Sequence, residues 1–142
     1  MTDMTEIAHH HFQAVVEKRV EEIIARYAES EQTYVFVEGP RWATLGFKNI
    51  AAGWRAFVDA PLAVESCRYV ETPISQVSGE MGWIAGIVEL TVRVRDQLKA
   101  VRFRGTFVFA RQADGVWRIV HEHFSQPAAD PYGIGDWLKP TP

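Results

Sequence analysis

The chain carries a single cysteine, Cys67, among its 142 residues, so it can close no internal disulfide. A lone thiol with no nucleophile motif around it reads as a packed strand residue in a reducing compartment. No apolar run approaches membrane-spanning length, and the opening MTDMTEIAHHHF brings acids and histidines where a secretion signal needs a basic end and an apolar stretch. A cytoplasmic protein with no membrane partner is expected. Charge of one sign is also scarce: the net charge is -3, with acids and bases interspersed, so there is no basic stripe to track a phosphate backbone and no nucleic acid is expected as a partner. Glycine-rich phosphate loops, nucleophile elbows, cysteine pairs and HxxE or HExxH metal motifs are all missing, so neither a cofactor nor a metal site is expected.

What is present suits one globular domain, with 47% hydrophobic and 12% aromatic residues. Ile7, Phe12, Val15, Val16, Val20, Ile23, Ile24 and Tyr27 recur at helical spacing and predict one long amphipathic helix from Thr5 to Tyr27. His9, His10 and His11 diverge by about 100° each on that helix, cannot converge on one ion, and read as a partly solvated first turn. YVFVEGP predicts a short strand ending in a loop, and GFKNIAAGWRAFVDAP a second helix with Phe47, Ile50, Trp54 and Phe57 on one face. Strands follow over Ala63–Glu71, Ile74–Val77, Gly82–Val94, Ala100–Arg111 and Val116–Ser125, the last three joined as an antiparallel meander by turns at Arg95-Asp96-Gln97 and Ala113-Asp114-Gly115. Helices first and a sheet afterwards make an α+β domain over residues 1–126. Residues 127–142 read as an irregular tail that Tyr132 and Trp137 would pin to the surface.

The stretch VWRIVHEHFSQP poses the functional question. Strand alternation puts Trp117, Ile119, His121, His123 and Ser125 on one face and Val116, Arg118, Val120, Glu122 and Phe124 on the other. With the first set inward, two histidines at metal-binding spacing are hidden; with the second inward, one carboxylate is. Either way both faces are partly apolar and ask for cover, which predicts a homodimer packed through the outer sheet face. The arginines at 93, 95, 102 and 104 share a polar sheet face and read as a surface paired to acids. Arg41, beside Trp42 in the loop PRWATLG, reads as a solvated residue or as a receiver for a carboxylate.

With its order of helix, short strand, helix and sheet, and with RGTFVFARQADGVWRIVHEHFSQP, the chain resembles the SnoaL-like branch of the nuclear transport factor 2-like superfamily. That superfamily's conical α+β fold is shared with ketosteroid isomerases, polyketide cyclases and the association domain of calcium/calmodulin-dependent protein kinase II. The resemblance implies that Val120, Glu122 and Phe124 look into the cone, with Phe103, Phe107 and Phe109 lining it. It also implies that the isomerases' tyrosine, aspartate base and second acid are replaced by Val15, Gly39 and Phe107. Glu38 could replace the base only if the loop bends. Tyr34, Trp42 and Trp54 supply aromatic walls with polar tips, and ordinary core packing stands as the alternative for Trp54. Glu122, flanked by phenylalanines, would have its pKa raised into the range of a general acid or base, unless an arginine or Tyr34 satisfies it. A cavity for a small apolar or aromatic ligand, with Glu122 as the catalytic group of an isomerase or cyclase, is therefore expected. The other reading is a non-catalytic association domain.

Overall fold

The apolar stripe that predicts one helix is broken in two in the computed structural model, which describes residues 3–138. Helix α1 spans Met4–Val16, with the Asp3 carboxylate accepting from the Thr5 N–H at 2.9 Å, and α2 spans Val20–Ala25. Between them Lys18 adopts φ 51, and the N–H groups of Lys18 and Arg19 donate back to the carbonyls of Val15 and Ala14 at 3.2 and 2.9 Å. This is a left-handed helix stop, normally announced by glycine. Here a lysine occupies it, its ammonium reaching the Val58 carbonyl at 3.4 Å and lying 5.1 Å from the Phe57 ring centroid, so tertiary contacts supply what the sequence does not signal.

Helix α3 spans Phe47–Asp59. The strands are β1 (Tyr34–Phe36), β2 (Thr44–Leu45), β3 (Leu62–Tyr69), β4 (Ile74–Ser78), β5 (Met81–Val94), β6 (Gln97–Arg111) and β7 (Trp117–Ser125). They form one sheet in the order β2-β1-β7-β6-β5-β3, with β4 also paired to β5. β2 lies within PRWATLG, which reads as loop because two residues carry no alternation; its partner β1 defines it. The meander β5-β6-β7 forms as its turns predict, with Arg95 and Asp96 both at positive φ in the two-residue hairpin. β1 joins β7 in parallel, aligning Val35 with Glu122. The helices cover one sheet face, where Ile84, Val88, Phe107, Phe109 and Ile119 are fully buried. On the other face Arg93 pairs with Glu65 at 2.7 Å, and Arg102 and Arg68 share Glu89 at 2.8 and 3.0 Å. Arg95 lies in the exposed turn, and Arg104 donates instead to the Ser125 hydroxyl at 3.0 Å.

The last strand departs from simple alternation. β6 and β7 stay in register from Arg104↔Ser125 to Val108↔His121 and then shift, so that Phe109 faces Ile119 and Val120 has no partner. Val120 is thus the extra residue of a β-bulge, and the chain inverts its faces there. Ile119, Glu122 and Phe124 all point to the covered side, while His121 and His123 point outward. Two expectations change. Ile119 does not share a face with the histidines, and Val120 does not belong to the inward row of Glu122 and Phe124. The mixed apolar pattern of the strand comes from the bulge and by itself requires no second cover.

The tail also differs. Tyr132 and Trp137 are 73% and 69% exposed and pin nothing. The Asp130 carboxylate instead accepts from the Ile134 and Gly135 N–H groups at 2.9 and 3.0 Å, so the chain satisfies itself locally.

Gly105 on β6 sits beneath Phe124, and a Cβ there would lie 2.9 Å from the Phe124 ring and 3.0 Å from Val88. Gly105→Ala is expected to displace Phe124 and lower stability by about 1–3 kcal/mol, read as a shifted denaturation midpoint; an unchanged midpoint would show that the ring is loosely held.

Candidate functional site

Between α1, α3 and the inner face of the sheet lies a cavity of about 210 Å³. Phe12, Val15, Ile50, Phe57, Leu90 and Phe107 make its apolar wall, and Glu122 with Tyr27 forms its polar end. Glu122 is 4% exposed, and the Tyr27 hydroxyl donates to its Oε1. Tyr27 is brought there by backbone: Ala28 N–H donates to the Ile119 carbonyl at 2.9 Å and Ile119 N–H to the Arg26 carbonyl at 2.7 Å, so the end of α2 is stitched to β7 beside the bulge. The satisfying partner of Glu122 is therefore Tyr27, not an arginine and not Tyr34.

Burial governs the titration of the site. Desolvation pushes the Glu122 carboxyl up to about 7; the hydrogen bond from Tyr27 opposes this and the charge of Glu38 adds to it. Burial, then the charge of Glu122, holds the Tyr27 hydroxyl well above the ordinary tyrosine value, so it remains a donor. Glu38 also lines the cavity, because β1 ends at Phe36 and the chain bends at once, and desolvation raises its carboxyl too. Cys67 shares the wall; burial, and then Glu38, push its thiol up to about 12, so it is present as the thiol and not as a nucleophilic thiolate.

His11, expected in a solvated turn, is 4% exposed on the cavity wall. It packs edge-on against Tyr27, Trp54 and Phe107, with ring centroids 5.6, 6.0 and 5.6 Å away. Its Nδ1 has no hydrogen-bond partner among the described residues, and burial followed by the Arg26 charge lowers its pKa to about 3. It is a neutral imidazole at every ordinary pH. The signal for it was in the sequence: Met4, Ala8, His11 and Val15 fall at helical spacing on one buried stripe.

Of the other residues singled out in the sequence, Trp54, Phe107 and Phe124 line the cavity with Glu122. Phe109 is wholly buried in the core behind it, with its ring centroid 5.8 Å from that of Phe107. Phe103 and the loop residue Trp42, which is 96% exposed, line instead an adjoining cleft bordered by Val37, Glu38, Arg41 and Phe124. Val120 reaches neither space. Tyr34 lies on the outer face, stacked on His121, whose Nδ1 sits 2.6 Å from the Tyr34 carbonyl and so must carry the proton. Neither Tyr34 nor Val120 is a cavity residue, since the parallel pairing of β1 with β7 turns the first outward and the bulge displaces the second. Among the described residues no group of three or more histidine, cysteine or acidic side chains could hold a metal ion. No helix there is long and apolar enough to cross a membrane.

The two buried groups push stability in opposite directions. Folding raises Glu122 from 4.5 to about 7, so the folded chain binds the extra proton and stability falls as pH rises through that window, by on the order of 3 kcal/mol in full. Folding lowers His11 from 6.5 to about 3, so the unfolded chain binds the extra proton and stability falls as pH drops below 6.5. Between 4.5 and 6.5 the two slopes oppose each other. Glu122→Gln is expected to unmask a stability that rises with pH across that interval, and His11→Leu one that falls, in denaturant titrations at stepped pH. Slopes identical to the parent in both variants would contradict the assignment.

No curated protein matches the chain in sequence at a significant level. In structure it is similar to a nuclear transport factor 2-like superfamily protein of Salmonella enterica serovar Typhimurium, with 21% identity, 94% of each chain covered and a TM-score of 0.75. It is similar to a nuclear transport factor 2-like protein of unknown function from Pseudomonas putida, with 20% identity, 95% of this chain and 92% of that one covered, and a TM-score of 0.73. A ketosteroid isomerase-like protein of Erwinia carotovora gives 16% identity, 87% and 94% coverage and a TM-score of 0.69. At such identities the likeness is one of fold, and it places the α+β architecture among the nuclear transport factor 2-like cones. In sequence, residues 6–129 match the SnoaL-like domain, and the chain belongs to that family.

Proposed function

We propose that the protein binds a small, largely apolar molecule in its cavity and moves a proton to or from it with Glu122. One observation carries this: a fully buried carboxylate, held by a single tyrosine hydroxyl, opens onto an apolar cavity with its pKa near 7. A structural carboxylate is commonly neutralised by an arginine, whereas burial pushes this one up to about 7, the range that suits a general acid or base. Tyr27 fixes Oε1 and leaves the second oxygen for the ligand. The chemistry that fits is proton abstraction beside a carbonyl, isomerisation or cyclisation. The cavity falls below the range of about 300–1,000 Å³ common for drug-sized ligands, so the substrate is small. The single unpaired thiol suits the cytoplasm, where we place the protein.

A second reading, association through the outer sheet face, draws support from the aromatic group there: Phe36 lies 5.2 Å from both His121 and His123, centroid to centroid, and Trp83 and Val108 pair beside them. A homodimer through this face is compatible with a working cavity, but association alone gives Glu122 no task.

Small cyclic ketones and 1,3-dicarbonyl compounds incubated in D₂O should take up deuterium at their acidic carbons in the presence of the protein. Glu122→Gln should slow the uptake by about 10²–10⁴-fold while the fold persists by circular dichroism; uptake indifferent to Glu122→Gln would reject the catalytic reading. For association, Val108→Lys should convert a sedimenting dimer into a monomer, and a parent that sediments as a monomer would exclude the interface.

A further inference from the structure

We propose that the molecule this cavity takes is an anion, an apolar or aromatic carboxylate whose acid group is held at the mouth by Arg41. This rests on the reading of the cavity as a ligand site and adds the chemical class of the ligand.

Arg41 is the only lysine or arginine lining the cavity among the described residues, and it also borders the adjoining cleft, so it stands where the two spaces meet. Most arginines of the chain are committed. Arg19, Arg55, Arg68, Arg93, Arg102, Arg111 and Arg118 each meet a carboxylate within 4.0 Å, but Arg41 makes no ion pair and no hydrogen bond with the described residues. Glu38, three residues upstream and lining the same cavity, is not its partner. Gly39, at φ 123, and Pro40 set the backbone between them, a conformation open to glycine and rare for other residues. The loop therefore presents a free guanidinium, a planar fork of donors shaped for a carboxylate.

The remaining charges favour the same occupant. Both cavity acids, Glu38 and Glu122, hold their protons more tightly than ordinary carboxyls, while a guanidinium stays charged at any working pH. Among the described residues Arg41 is thus the one strongly basic group of the lining, which it shares with the apolar side chains of Phe12, Ile50, Phe57 and Phe107 and with Glu122. A ligand complementary to that arrangement has a carboxylate at one end, an apolar or aromatic body, and at the deep end a polar atom for Glu122 and Tyr27.

The test is calorimetric titration of the whole protein with benzoate, phenylacetate and cinnamate, each against its primary amide, at low and high salt. Occupancy is read independently from the Trp54 indole, which lines the same cavity, as a shift of its Nε1–H nuclear magnetic resonance signal, assigned by its loss in Trp54→Phe. At least one acid should bind about tenfold or more tightly than its amide, the preference expected of a charge-assisted hydrogen bond. Salt should weaken the acid and spare the amide, and both should shift the Trp54 signal. Arg41→Ala should erase the preference, and Arg41→Lys should keep part of it. Acid and amide that bind equally and both shift the Trp54 signal would overturn the anion inference and leave the cavity a ligand site. Failure of every probe to shift the Trp54 signal would overturn both.

Discussion

The extra residue at Val120 is the constraint from which the site follows. Without it, β7 would send Ile119 to the face of His121 and His123, and Glu122 to the opposite one. The bulge puts Ile119 and Glu122 on one side, so that a single strand both anchors the end of α2 by backbone hydrogen bonds at Ile119 and delivers a carboxylate to the tyrosine those bonds position. Tyr27 and Glu122 are 95 residues apart in the chain and meet because of this one irregularity. Bulges recur where a strand must re-aim a side chain next to a site, and here the re-aimed group is the titrating one.

The energetics of the molecule divide along the sheet. On its outer face the arginine–glutamate pairs at Glu65 and Glu89 involve well-exposed arginines, are screened by solvent, and contribute little to stability. On its inner face Glu122 and His11 are taken out of water with one hydrogen bond between them, from Tyr27, and this shifts their pKa values in opposite directions. The neutral forms of both groups are what the fold prefers.

Much of the fold was legible in the sequence because its signals were periodic. The apolar rows of β5 and β6, the two hairpin turns and the amphipathic α3 all lie in the residues themselves. What was not legible had no local signature. The helix stop at Lys18 uses a residue that ordinarily avoids positive φ, β2 is two residues long, and a bulge leaves strand composition unchanged while inverting faces. The site divides in the same way. Glu122 stands out as a carboxylate among phenylalanines, and His11 is visible in hindsight from its stripe, but Tyr27 simply ends an apolar helical pattern and nothing near it points to Glu122. Tyr34 has the polar-tipped aromatic chemistry of a cavity wall and Val120 the place in the strand that the resemblance turns inward, but parallel pairing of β1 with β7 and the bulge set both outside the cavity.

The proposed chemistry depends on Glu122 keeping its proton well above the ordinary carboxyl range. The direct measurement is a ¹³C nuclear magnetic resonance titration of protein labelled at its glutamate side-chain carboxyls, with the Glu122 resonance assigned by its loss in Glu122→Gln. A midpoint near 7 is the predicted result. A midpoint at the ordinary 4.5 would mean that the carboxylate is solvated and charged, and that the cavity is not the dry proton-transfer site described.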